Sequence, residues 1–204
     1  MAIRGAHRAL ASGAAGLAAA TSAALALATA AALGACAHAP PPLPGPAAAV
    51  RAEVDQAETA ERARHHDLAR AHYERAIALA DDADSAAFAR HEYAETLVSW
   101  GERPAARAQL ERAVAAQPAD PSAWHDLGLL RHDAGDDPGA IEALSRAERL
   151  APRDLRPRTA LAALYWKRGD KASAAREYRG MLELDLPERL RARVEWALTE
   201  LAKP

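Results

Sequence analysis

A single cysteine, a single phenylalanine, four tyrosines and four tryptophans occur in the 204 residues. One cysteine excludes an internal disulfide and a thiolate metal cluster, and leaves a free thiol, an intermolecular bridge or a covalent modification. Few aromatics, and no stretch in which Val, Ile, Thr or Tyr alternates with polar residues, argue against a β-sheet. The abundance of alanine instead suits packed helices. A formal net charge of −2 gives no electrostatic case for binding nucleic acid. There is no glycine-rich phosphate loop, nucleophile elbow or His-Glu-x-x-His motif. No catalytic residue, cofactor or small-molecule substrate is therefore expected.

No acidic residue precedes Glu53, and the lone cysteine falls in this acid-free stretch. Arg4, His7 and Arg8 open the chain, an uncharged Ala/Leu-rich run follows from Ala9 to Ala37, and small residues close it. A basic start, an apolar middle and a small-residue end describe a secretory signal. The run is also long enough to span a bilayer, so an uncleaved anchor helix or an ordinary cleaved signal would fit its length. Leu33-Gly34-Ala35-Cys36 resembles the lipobox of bacterial lipoproteins. That resemblance implies a signal peptide over 1–35 and a diacylglycerol on the Cys36 thiol, with Cys36 as first residue of the mature protein. Two or more acyl chains anchor stably where one does not. The segment 36–46 is the lipidated cysteine followed by "AHAPPPLPGP", which is read as an extended tether. By the sorting rule of the same family, Ala37 in place of Asp permits transfer to the outer membrane, facing the periplasm.

Beyond the tether the chain repeats. Gly101, Gly135 and Gly169 are 34 residues apart, as are Ala106, Ala140 and Ala174, and Ala94, Gly128 and Ala162. In the copy 121–154, Trp124, Leu127, Gly128, Ala140, Leu144, Ala147 and Pro152 resemble the tetratricopeptide repeat (TPR) signature, with Arg131 departing from the consensus tyrosine. The segments 155–188 and 87–120 are further copies; the former carries Arg158 at the tryptophan position and Met181 where a small residue is usual. The segment 47–86 reads as a degenerate first hairpin at an offset of 37, its first helix weakly patterned through Val50, Val54 and Ala57. The resemblance implies an all-α solenoid of stacked antiparallel hairpins, because one hairpin cannot bury its own apolar stripe.

Local signals mark the helix ends. The three glycines suit left-handed C-caps. Asp120, Asp137 and Asp170 suit N-caps, the first two followed by proline. The segment 186–204 reads as a capping helix. Asp185 and Glu188 have capping-box spacing, and Leu190, Val194, Ala197, Leu198 and Leu201 form one apolar face.

Eight histidines raise the question of a metal. His125 and His132 stand seven apart on one helix, about 10.5 Å along its axis, too far for one zinc ion. His91 and His125 share a repeat position, which suggests neighbours. The runs Asp81 to Asp84 and Asp133 to Asp137 lack the spacing of a calcium loop. No metal ligand is assigned.

In the TPR family the first helix of each repeat lines a concave groove. Carried over position by position, this implies groove residues Phe88, His91, Glu95, Val98 and Ser99, then Ser122, His125, Leu129, His132 and Asp133, then Arg156, Thr159, Ala163, Trp166 and Lys167. Trp166 is the expected anchor, whereas Trp100 and Trp124 are expected in the core. The corresponding places do not resemble the Lys/Asn clamp with which chaperone-linked members hold a terminal carboxylate. The implied function is a lipid-anchored adaptor of the bacterial envelope that binds a protein or peptide. In architecture it resembles the TPR lipoproteins of pilus assembly, outer-membrane protein insertion and wall-hydrolase control. Two alternatives stand beside it: a metal-binding or enzymatic protein using the groove histidines, and a self-associating structural subunit.

Overall fold

The computed structural model describes residues 45–203. The expectations for the signal peptide, Cys36 and the tether up to residue 44 lie outside the described residues. Nine α-helices and no strand occur among the described residues: α1 (Pro46–Arg62), α2 (His66–Leu79), α3 (Ala83–Ser99), α4 (Arg103–Ala116), α5 (Pro121–Asp133), α6 (Asp137–Leu150), α7 (Leu155–Lys167), α8 (Lys171–Leu182) and α9 (Glu188–Leu201). They pair as hairpins α1/α2, α3/α4, α5/α6 and α7/α8; each hairpin packs on the next, and α9 packs on α8. This is the all-α TPR solenoid that the repeat implies. No described helix is long and apolar enough to cross a membrane.

The three later repeats share a start and a stop. Asp82, Asp120, Asp136, Asp154 and Asp170 are N-caps whose carboxylates accept backbone N–H bonds from the first turn. One expectation is corrected here: α6 is capped by Asp136, not Asp137. Either aspartate could precede the Pro138 turn, and Asp137 is instead engaged by His132 at 2.7 Å. The first helices of three repeats end at Gly101, Gly135 and Gly169, with φ near +80°. At each, the glycine N–H and the one after it reach back to carbonyls of the last turn. The first hairpin makes the same reversal with Arg64 at φ 59, a conformation that costs an L-residue about 1–2 kcal/mol.

The first hairpin is nevertheless firmly built. Pro46 occupies the first turn of α1, so the helix opens inside the segment read as tether. Val50, Val54, Ala57 and Ala60, one turn apart, are all buried. Tyr73 of α2 is 1% exposed, stacks on Tyr93 of α3 at 4.9 Å, and shares a 2.8 Å hydrogen bond with Thr96. Arg70 donates to the Tyr93 hydroxyl and to Glu102, both at 2.8 Å, and its guanidinium lies over the Trp100 ring. An apolar network runs from Val50 through Tyr73, Leu97, Leu110 and Leu127 to Ala143.

Close approach of paired helices depends on small residues. A Cβ at Gly128 would stand 2.6 Å from Leu144 Cγ, so α5 and α6 could not keep their separation. The last hairpin departs from the pattern. Arg158 of α7 lies between the second helices of two repeats, pairing with Glu148 of α6 at 2.9 Å and facing Glu177 of α8 at 4.0 Å. Gly180 leaves room for this guanidinium, on which an added Cβ would fall. Burial, then the charge of Glu148, pushes the Glu177 carboxyl up against the opposing pull of Arg176 and Arg158.

The capping box expected at Asp185 and Glu188 does not form. Leu186 is buried, α9 begins after Pro187, and no side chain caps it. Val194, Ala197 and Leu201 nonetheless face inward as the apolar pattern requires.

Candidate partner-binding groove

Two cavities open where first helices of successive units face one another. The first, of about 400 Å³, lies between α3 and α5. His91, Glu95, Val98, Leu129 and Asp133 line it, as the repeat register implies, together with Ala94, Arg103, Leu110, Asp126 and Leu130. The second, of about 660 Å³, lies among α7, α8 and α9. Thr159, Ala163, Trp166 and Lys167 line it from α7, Tyr178 and Met181 from α8, and Leu190, Ala192, Arg193, Val194, Trp196 and Ala197 from α9. The repeat register did not identify the α9 contribution, because that helix reads as a lid. The signal for it was a tryptophan beside the apolar face of a terminal helix.

Between α1 and α3 a smaller depression of about 270 Å³ gathers Glu58, Glu61, Glu92 and Glu95 with Arg62, Tyr73, Thr96 and Ser99. Burial, reinforced by the charges of Glu95 and Glu58, raises the Glu92 carboxyl above the usual range, and His91 offsets this only in part. The groove is therefore acid-rich toward α1 and α3.

Not every residue in register reaches the groove. Phe88 lies under the Arg51 guanidinium at 5.2 Å and lines a separate depression with Ala47, Val50 and Asp82. Ser122 is half-buried beside its cap Asp120, to which its N–H donates. Arg156 folds back on Asp154, with contacts of 2.7 to 3.2 Å. His132 ties the end of α5 to Asp137. His125 is only 8% exposed, with its Nδ1 buried and unpartnered, so it is not a groove-surface residue. Trp100 and Trp124 are partly buried against the core, and the Trp124 indole N–H donates to the Pro118 carbonyl at 3.0 Å.

His91 does not pair with His125. Its Nε2 meets Asp126, the next residue along α5, at 2.8 Å and Glu95 at 3.7 Å, while Nδ1 lies 3.7 Å from Asp120. His91, Glu95 and Asp126 could each offer one ligand atom within 4.8 Å of the others. His125 is not in that group. The existing Asp126 contact already gives the His91 imidazole a partner.

The two histidines at one repeat position titrate in opposite directions. Burial pulls His91 down, but the hydrogen bond and charge of Asp126, aided by Asp120 and Glu95, hold it above 6.5. Burial pulls His125 below 6.5, and Asp126 compensates only weakly. The linkage signs differ accordingly. The His91 contribution to stability is full below 6.5 and is lost as pH rises through its folded-state value. That of His125 is full above 6.5 and is lost as pH falls through its lower folded-state value. Proton-detected NMR should place the His91 midpoint above, and the His125 midpoint below, that of a free imidazole. H91Q should remove the alkaline loss of stability and H125Q the acid loss; parallel profiles for the two variants would contradict these environments.

No protein-family model matches the chain, and no curated protein matches it in sequence. Solved structures match in fold. A crystal structure of MamA superposes with a TM-score of 0.59 at 23% identity, over 71% of this chain and 81% of that one. PilF of Pseudomonas aeruginosa gives 0.61 at 19% identity, over 76% and 68%. YrrB, described as a TPR protein with an unusual peptide-binding site, gives 0.59 at 19% identity, over 73% and 74%.

Proposed function

We propose that the chain is a lipid-anchored interaction scaffold of the bacterial envelope. In this reading Cys36 carries the acyl chains, the proline-rich segment spaces the solenoid from the membrane, and the groove captures a segment of a partner protein. The observation that carries the reading is the pair of cavities between successive first helices, each mixing apolar walls with a few polar groups, the composition of sites that hold a ligand in one orientation. The peptide-binding site named for YrrB supports the same use of the fold. Ala37, through the sorting rule of the lipoproteins that the Leu33–Cys36 segment resembles, supports an outer-membrane position facing the periplasm. No catalysis is assigned to the chain.

Two measurements test the two halves of this reading. Photo-crosslinking residues placed at Leu129 or Trp166 in cells should capture a discrete protein, whereas placement at Arg112 or Arg146 on second helices should not. Equal capture from both faces would reject the groove. Cys36→Ser should abolish incorporation of labelled fatty acid and leave an unprocessed precursor; normal processing of that variant would reject the anchor.

A further inference from the structure

The cavity at the α9 end differs from its counterpart between α3 and α5 in both aromatic content and charge. Its floor is Met181 and Val194, each at most 2% exposed. Trp166 and Trp196 lie nearly parallel at 6.5 Å, 14° apart, and Trp166 meets Tyr178 edge-on at 6.2 Å. Trp196 is 62% exposed, the most exposed large apolar side chain among the described residues. An indole left this open on a helix whose Val194, Ala197 and Leu201 are buried is a surface held ready for a partner, because large aromatics are the usual anchors of interfaces.

Charge then narrows the partner. Among the described residues, the only charged groups lining this cavity are Lys167 and Arg193, and no carboxylate lines it. The α3/α5 cavity has the opposite bias: Glu95, Asp126 and Asp133 stand against His91 and Arg103, and Arg103 is already paired with Asp133 at 3.1 Å. Two cations beside an apolar wall favour carboxylates, whose charge-assisted hydrogen bonds are shorter and stronger than neutral ones, and repel a basic flank.

We propose that this cavity is the specificity pocket for an acid-flanked apolar anchor: a partner segment in which an aromatic or leucine side chain enters between Trp166, Trp196 and Met181 while neighbouring Asp or Glu side chains meet Lys167 and Arg193. The proposal rests on the groove reading above and specifies the chemistry of its occupant. The anchor lies on the aromatic walls, and the carboxylates fix which way the segment runs along the groove.

The test is selection of a displayed random-peptide library on the full-length chain in detergent micelles. Enriched peptides should carry Phe, Trp or Leu beside Asp or Glu. Trp196→Ala, at an exposed position, should weaken their binding by more than about tenfold with an unchanged circular dichroism spectrum. The double variant Lys167→Glu/Arg193→Glu should switch the enriched flank to Lys or Arg beside the same anchor. Enrichment indifferent to that charge reversal, binding untouched by Trp196→Ala, or no enrichment at all would overturn the proposal. So would self-association by sedimentation that Trp196→Ala abolishes, since a second copy would then be the occupant. If the selected peptides are lost on Glu95→Lys or Leu129→Ala instead, the groove stands as a binding face and only this pocket assignment falls.

Discussion

Tyr73→Ala should destabilise the folded chain by about 3–5 kcal/mol in urea unfolding, the scale of a buried aromatic truncation. That is a large share of the roughly 5–15 kcal/mol by which most domains are stable. Tyr73 is 1% exposed, its ring stacks on Tyr93, and its hydroxyl is bonded to Thr96, which is itself buried. Removing the side chain opens a cavity between the first two hairpins and leaves a buried hydroxyl without its partner. Tyr73→Phe separates the two effects. It keeps the ring and should cost about 1–3 kcal/mol, the penalty for the unsatisfied hydroxyl. The position lies in the least regular repeat, which sharpens the test. If α1 and α2 were a loosely attached appendage, Tyr73→Ala would unfold only that hairpin, in a separate and shallow transition, and the main transition would not move. A single cooperative transition displaced by the full amount is the expected result.

Trp166→Ala should have the larger effect on binding. Loss of a central aromatic anchor costs about 2 kcal/mol or more, which is about 30-fold or more in affinity for the captured segment. The side chain is 36% exposed and touches Tyr178 and Trp196 rather than the buried core. Stability should therefore fall by about 1–3 kcal/mol, two aromatic pairs at about 0.5–1.5 kcal/mol each beyond their buried area. Fluorescence anisotropy with a peptide selected on the groove measures the first quantity, and thermal unfolding the second. A loss of binding that merely tracks global unfolding would place Trp166 in the core and remove it from the groove.

Features set by local chemistry were legible before any coordinates. The glycine stops at 101, 135 and 169 require a left-handed residue, and few residues other than glycine adopt it. The Asp120 and Asp170 caps need only a carboxylate one turn from free N–H groups. Where two residues could serve, spacing could not choose between them, as with Asp136 and Asp137. At Asp185 a plausible local cap lost to a tertiary demand, the burial of Leu186. The groove divides along the same line. Repeat position placed His91, Glu95, Leu129, Thr159, Trp166 and Lys167 at the two cavities, because those positions share a helix face. It did not foresee the burial of His125 or the folding back of Arg156 onto Asp154. It also missed Arg193 and Trp196, because a helix with no successor to stack on reads as a cover when it is equally a wall.

Arg158 has a geometric consequence. Apolar surfaces slide over one another at modest cost, whereas a guanidinium set between Glu148 and Glu177 tolerates little displacement. Shifting one hairpin past the next by a residue, about 1.5 Å, would draw the guanidinium away from both carboxylates and leave the buried Glu177 with Arg176 alone. The step from the α5/α6 hairpin to the α7/α8 hairpin is thereby held in one register, and a ligand lying along both must match that gauge rather than stretch it.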